Sequence, residues 1–182
     1  MPRITPVSDK SQVPAEHQHV VDDVMKVFGV LRGPHSILLH TPKLDEPALA
    51  LGNYFRYEGV CKSPEKELAI ITGARETDCL YVWAAQVGAG RRAGLREEAI
   101  EVVKHRHPVD ALEPHEREII IYVRELLREN RVEQSVFDAL KDRYGVEWLI
   151  EMTTVVGYYV MLAGVVNSFE VDPPADGDEL PV

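Results

Sequence analysis

A glutamate near the start of a predicted helix is the side chain in this sequence best suited to proton chemistry. Ser63-Pro64-Glu65 is typical of a helix start, with a serine cap and a proline in the first turn, so Glu67 lies one turn inside the helix. Apolar residues surround it at helical spacing, and desolvation by such neighbours raises the pKa of a carboxyl group toward the range useful for proton transfer. The alternative is a structural glutamate, stabilised by the helix dipole or paired with Arg56 or Arg75.

Thiol and metal chemistry have weaker support in the sequence. The two cysteines, Cys61 and Cys79, are too few for a disulfide framework and are typical of a protein from a reducing compartment. The histidine pairs His17/His19 and His105/His107 are two residues apart, so neither pair shares a helix face. We therefore expect no metal site and no cofactor.

Apolar residues recur at helical spacing through almost the whole chain, so helices must position these residues. No segment alternates with a period of two for long enough to predict a sheet, so the sequence predicts an all-α fold with about eight helices. The boundaries are set by Gly and Pro, and the predicted helices span residues 20–31, 44–57, 63–76, 79–91, 95–105, 114–130, 134–144 and 146–169, with a short turn of helix at 35–40. The helical domain covers residues 16–170. Residues 1–15 form an N-terminal arm and residues 171–182 an acidic, Pro-rich tail, both expected to be extended or disordered.

Composition narrows the classes of partner. The 182 residues are 45% hydrophobic and 27% charged, as in an ordinary soluble globular protein. A net charge of −10 argues against a nucleic-acid partner, because phosphate binding needs a concentrated positive face. The longest strongly apolar stretch, Thr153–Val166, is shorter than the roughly 20 residues needed to cross a bilayer. Without a secretory signal at the N-terminus, we expect a cytoplasmic protein with no membrane contact.

The last predicted helix is apolar on nearly every side, a pattern typical of a helix inside a larger protein or an oligomer. For a chain of this size we expect part of its surface to lie in the core and part in an interface between subunits. The sequence thus predicts a homo-oligomer.

The segment from Glu67 to Gln86, which reads ELAIITGARETDCLYVWAAQ, resembles the carboxymuconolactone decarboxylase family, which also contains the alkylhydroperoxidase D-like proteins. Further segments match patterns of its longer members, at residues 33–42, 51–58, 94–100 and 156–163. The resemblance extends over residues 24–173. It implies an alkylhydroperoxidase D-like helical bundle, a helical hairpin centred on Glu67 and Cys79, and assembly into trimers or hexamers.

The redox motif of the peroxidase branch is incomplete in this chain. The resemblance places Glu67 at the family's glutamate and Cys79 at the first cysteine, but Val82 stands at the second cysteine and Gln86 at the histidine. A dithiol peroxidase needs a neighbouring thiol to resolve the sulfenic acid, and a base to remove protons. Cys79 has neither on its own helix, so we interpret it as a small buried residue, and a thiol-dependent peroxidase using Cys79 is the alternative.

The resemblance also suggests a pocket drawn from several helices around Glu67. His40, after a short apolar helix, is a candidate catalytic residue. Arg56 and Tyr57 end the next helix and are candidates to bind a substrate carboxylate. Further candidate substrate-binding residues are Tyr81, Trp83 and Gln86. Gln86 can donate or accept a hydrogen bond but cannot act as an acid or base at neutral pH.

We therefore expect a cofactor-independent lyase (a decarboxylase) or isomerase that acts on a small carboxylated lactone or a related intermediate of aromatic-compound catabolism. Glu67 would transfer a proton at carbon, while Arg56 and His40 would bind the carboxylate or stabilise the dienolate. A thiol-dependent peroxidase and a non-catalytic helical oligomer that binds a metabolite remain alternatives.

Overall fold

The computed structural model describes residues 2–181, and within that range the chain forms nine α-helices and no strand. This confirms the predicted all-α fold, with nine helices in place of about eight. They are α1 (Gln18–Phe28), α2 (Gly33–Leu38), α3 (Pro42–Asn53), α4 (Glu65–Glu76), α5 (Leu80–Arg92), α6 (Glu97–Lys104), α7 (Pro114–Glu129), α8 (Gln134–Tyr144) and α9 (Val146–Ser168).

Helix α4 lies at the centre of the bundle and packs against α5, α7 and α9. Every residue from Leu68 to Arg75 is buried, so this helix has no wide solvent face. Trp83 of α5, Ile120 of α7 and Met152 of α9 are among the fully buried side chains of the same core. The Glu67 helix is thus held from three sides.

Two helix ends near the site differ from the expected boundaries. Helix α3 begins at Pro42 and continues into a π-helical turn, Tyr54–Glu58, which we call the π-turn. In a π-turn the backbone bonds reach one residue further than in an α-helix, and such turns are frequent at functional sites. Cys79 precedes α5 as its cap, because its Sγ accepts a hydrogen bond from the backbone N–H of Val82.

Helix α9 is long and apolar enough to cross a membrane by length and composition alone. Half of its most apolar stretch is buried inside the protein, and the core helix of a soluble protein passes the same test. Its buried side includes Trp148, Met152 and Val156, whereas Val146 and Ile150 are exposed. The burial pattern is that of a core helix with one unpartnered apolar edge.

The terminal segments pack against the helical domain. Val7 and Val13 are buried with Val20, Val21 and Leu39 in a small second core. At the other end Leu180 is buried in the main core. Over the described residues both chain ends are therefore packed arms, and the N-terminal one contains two short 3-10 turns, Lys10–Gln12 and Ala15–His17.

Candidate functional site

A cavity of about 230 Å³ lies between the π-turn and helices α2, α3, α5 and α9. Of the residues predicted from the sequence, the cavity contains Arg56, Tyr81 and Gln86. Its walls also include apolar side chains, among them Phe28, Leu49, Val82 and Leu162. A concave cavity whose walls combine apolar side chains with polar and charged groups can hold a small molecule.

The most conspicuous polar group of the cavity is a buried histidine that the sequence analysis did not single out. His35 of α2 is 4% exposed, and its Nδ1 lies 2.6 Å from Oδ1 of Asp45 on α3, which is 0% exposed. An acidic partner at Nδ1 fixes the ring orientation and leaves Nε2 as the nitrogen available to a ligand. The pair has the geometry of a histidine prepared for proton transfer.

Arg56 enters the same cavity from the π-turn. Its guanidinium lies 4.7 Å from the centre of the Phe28 ring, and this ring in turn lies 5.0 Å from the His35 ring. Within the described residues Arg56 has no ion pair and donates no side-chain hydrogen bond. A guanidinium that is held by an aromatic face, with its N–H groups unused, can bind a carboxylate through two parallel hydrogen bonds.

A second arginine and three tyrosines complete the polar lining. Arg32 precedes α2 and has no carboxylate partner among residues 2–181. Burial raises the pKa of Tyr81, against the opposing charge of Arg32. Burial likewise raises the pKa of Tyr158 to about 12 and that of Tyr159 further. These phenols remain protonated at neutral pH and can act as hydrogen-bond donors.

Glu67 lies beside the cavity rather than among the residues that line it. Its Oε2 is buried without a hydrogen-bond partner in the described chain, and Oε1 lies 3.5 Å from the Ser63 hydroxyl. Burial raises the pKa of Glu67, and positive charge, including that of Arg56, partly opposes the shift. The charge of Glu67 also contributes to the raised pKa of Tyr159, which places its carboxyl group close to the cavity wall.

Both cysteines lie in the core, outside the cavity. Cys79 and Cys61 are each 0% exposed, and burial raises the pKa of both thiols. Cys61 Sγ donates to the backbone carbonyl of Trp148 at 3.2 Å. Trp83 is also fully buried, and its Nε1 has no hydrogen-bond partner within the described residues. A thiol in such surroundings has little thiolate character and therefore little reactivity toward peroxide.

Besides Glu67, Cys79 and Trp83, two more predicted site residues do not line the cavity. His40 comes after the end of α2, is exposed, and its Nε2 lies 3.0 Å from the backbone carbonyl oxygen of Thr5 in the N-terminal arm. Tyr57 is 64% exposed and borders a different surface groove, between α1 and α3. The structure thus does not bring His40 to Glu67, and the inward histidine of this region is His35.

A sequence signal for the His35–Asp45 pair exists but is weak. Asp45 lies in the first turn of a helix that begins at Pro42, where an acidic residue is expected merely for its favourable interaction with the helix dipole. His35 lies on a helix of only six residues, too short for a periodicity to separate its inner face from its outer face. Only the packing of α2 against α3 brings the pair together.

With the fold and the cavity described, the chain can be compared with known proteins. Its structure has the alkylhydroperoxidase D-like fold, as three similar solved structures show. No protein-family model matches the sequence, and a search of curated proteins finds no match.

The first similar structure is the alkylhydroperoxidase AhpD core of an uncharacterised peroxidase-related protein from Ralstonia eutropha, with a TM-score of 0.77 and 15% identity. The alignment covers 94% of this chain and 92% of that one. A peroxidase-related protein from Silicibacter sp. has a TM-score of 0.72 and 17% identity, with 96% and 95% covered. A protein of unknown function from Agrobacterium tumefaciens has a TM-score of 0.67 and 17% identity, with 76% and 95% covered. At these identities the likeness establishes the fold.

Proposed function

We propose that this protein is a cofactor-independent lyase or isomerase that binds a small carboxylate or carboxylated lactone in the cavity and transfers a proton at carbon. One observation carries the proposal: a guanidinium without a carboxylate partner, on Arg56, shares an apolar-walled cavity with His35, whose Nδ1 is bound to Asp45. Anion binding and proton transfer are the two functions such a site needs.

Arg56 binds the substrate carboxylate, and Arg32 supplies the second positive charge of the cavity. The chain as a whole carries a net charge of −10, so a pair of arginines without partners here is a local exception. The apolar walls strengthen the interaction, because charges attract more strongly where water is excluded. Gln86 and the protonated tyrosines supply neutral hydrogen bonds to a ring or carbonyl oxygen.

In a decarboxylation, the bond between the substrate carbon and its carboxyl group breaks, carbon dioxide leaves, and the electron pair remains as an enolate. The positive charge of the arginines stabilises this enolate. A proton then adds at carbon, and His35 Nε2 is the group in the cavity placed to deliver it. This step leaves the site one proton short. Glu67, whose pKa burial raises, is the second acid beside the cavity; it can supply that proton and itself regains one from solvent.

A thiol-dependent peroxidase is the second candidate, favoured by the description of two structural neighbours as peroxidase-related. Cys79 and Cys61 would both have to become accessible for that reaction, since each is 0% exposed. A non-catalytic metabolite-binding protein is the third candidate. This third candidate would bind its ligand in the same cavity and differs from the lyase only in having no turnover.

The binding step is tested by isothermal titration of the purified protein with butanoate. Arg56→Gln is expected to weaken binding at least tenfold, because a charge-assisted bidentate contact to a carboxylate is lost. Arg131→Gln, which changes an exposed arginine of the α7–α8 connection, is the matched control and should bind as the wild type does. Equal affinity of the two variants would refute the assignment of Arg56.

The chemical step is tested with carboxymuconolactone as the probe, followed by ultraviolet absorbance. Turnover that is lost in His35→Gln and Glu67→Gln, but kept in His40→Gln and Glu98→Gln, would support proton transfer at this site. Circular dichroism establishes that each variant is folded. Butanoate binding without turnover of the lactone would reject that substrate and favour the binding protein, and turnover of hydrogen peroxide would favour the peroxidase.

A further inference from the structure

A second space lies next to the cavity, where the two ends of the chain meet the beginning of α2. We call it the terminal groove; it has a volume of about 260 Å³ and is more open to solvent than the cavity. Most of its wall is apolar, contributed by Pro2, Pro6, Val7, Leu31, Val171 and Pro174. Its polar lining includes Ser8, Arg32 and Asp172, and the apolar part of the wall suits a hydrocarbon group.

The terminal groove and the cavity are neighbours that share two side chains. Arg32 and Tyr81 line both spaces, so the two spaces lie on either side of this pair. Neither side chain has a hydrogen bond to another described residue, so no bond within residues 2–181 must break for either to shift. The cavity and the terminal groove are therefore separated by two side chains that no hydrogen bond to the described chain holds in place.

The walls of the terminal groove are fixed by contacts between distant parts of the chain. The Arg3 backbone N–H donates to the Phe169 carbonyl at 2.9 Å, and its guanidinium pairs with Glu170 at 2.7 Å. The Val7 N–H donates to the carbonyl of Ser36 on α2 at 2.8 Å. The two chain ends are thus tied to each other and to the helix that carries His35.

We propose that the substrate class is a carboxylate with an extended apolar tail, whose carboxyl group lies at Arg56 and whose tail passes Tyr81 into the terminal groove. The inference rests on the proposed function for the position of the carboxyl group. The occupant of the groove is the tail of the same molecule, because the groove is mainly apolar and borders the cavity at the shared pair of side chains. The terminal arms then act as a specificity element, selecting ligands by length.

The test is isothermal titration with the straight-chain series butanoate, hexanoate, octanoate and decanoate. Each methylene that becomes fully buried should tighten binding by about fourfold, so affinity should rise along the series until the chain fills the groove. Pro174→Trp places a large side chain in the groove and should remove the gain for the longer acids while leaving butanoate affinity unchanged. Pro173→Trp, at the exposed neighbouring position outside the groove, is the matched control and should keep the full gain.

Ser8→Trp, on the opposite wall, provides a second blocking variant should the fold of Pro174→Trp prove to be disturbed. A flat affinity series in the wild type, or an unchanged gain in both blocking variants, would overturn the inference while leaving the carboxylate site at Arg56 intact. Arg56→Gln distinguishes the two proposals, because it should weaken every acid of the series by a similar factor. If affinity still rises with the length of the acid but Arg56→Gln leaves every affinity unchanged, the proposed position of the carboxyl group is refuted.

Discussion

Glu151 of α9 should hold the π-turn that presents Arg56, although it does not line the cavity. Its Oε1 accepts a hydrogen bond from the backbone N–H of Cys61 at 2.7 Å, and its Oε2 accepts one from Val60 at 2.8 Å and one from the Tyr54 hydroxyl at 3.2 Å. Tyr54 begins the π-turn, and Val60 and Cys61 follow its end. One buried carboxylate therefore fixes both ends of the segment.

Glu151→Ala removes the carboxylate that accepts these three hydrogen bonds and leaves the two backbone donors at positions 60 and 61 without a partner. Hydrogen bonds to a charged group contribute about 1.5–3 kcal/mol each, so the two backbone bonds together predict a loss of about 3–6 kcal/mol in the free energy of unfolding. For a chain of this length, each kcal/mol lowers Tm by about 2–4 °C, so Tm should fall by at least about 6 °C. Butanoate affinity should fall as well, because Arg56 loses its fixed position.

Thermal unfolding followed by circular dichroism measures the loss. Glu147→Ala, one turn earlier at the exposed start of α9, is the matched control and should change stability by no more than about 1 kcal/mol, the contribution of an acidic residue at a helix N-terminus. Burial alone would raise the pKa of Glu151, but the hydrogen bonds from Cys61 and Val60 outweigh it and hold the pKa below the ordinary 4.5. The contribution is therefore present above pH 4.5 and lost as the pH falls through the folded-state pKa. Equal Tm values for the two variants at pH 7, or a Tm difference that does not shrink as the pH is lowered, would contradict this role of Glu151.

Three further outcomes follow from burial and packing. Both thiols should react with a disulfide reagent only slowly in the native protein and at once in denaturant, because burial raises their pKa; immediate native labelling would contradict this. Gly33→Ala should lower Tm more than Gly94→Ala, since both glycines have positive φ but only at Gly33 would an added Cβ lie 2.4 Å from the Tyr81 hydroxyl oxygen; equal losses in unfolding experiments would exclude the clash. Trp83→Phe should cost about 1–3 kcal/mol in stability with unchanged butanoate affinity; a selective loss of binding would place Trp83 in the site.

Most of the helical architecture could be predicted from the sequence because it rests on local information. The apolar periodicity and the Gly and Pro punctuation locate the helices to within a few residues of their ends. The desolvation of Glu67 was likewise readable from its apolar neighbours, and burial does raise its pKa in the structure. The π-turn could not be predicted from the sequence, because it depends on contacts such as those of Glu151, about 90 residues further along the chain.

The candidate site could be predicted only in part, because its parts come from different helices. The resemblance led to Arg56, Tyr81 and Gln86, and these three residues line one cavity, while their roles toward a substrate stay predictions. It led to His40 rather than His35, since no local pattern tells which histidine of this short region turns inward. The packed terminal arms were also beyond local information, because Val7 is buried only through contacts with α1 and α2.

The most direct test of the central claim is a crystal structure of the protein with bound butanoate. We expect a carboxylate within hydrogen-bond distance of the Arg56 guanidinium, in the cavity that contains His35 and Gln86. A butanoate bound elsewhere, with this cavity occupied by water alone, would contradict the claim that the cavity is a carboxylate site.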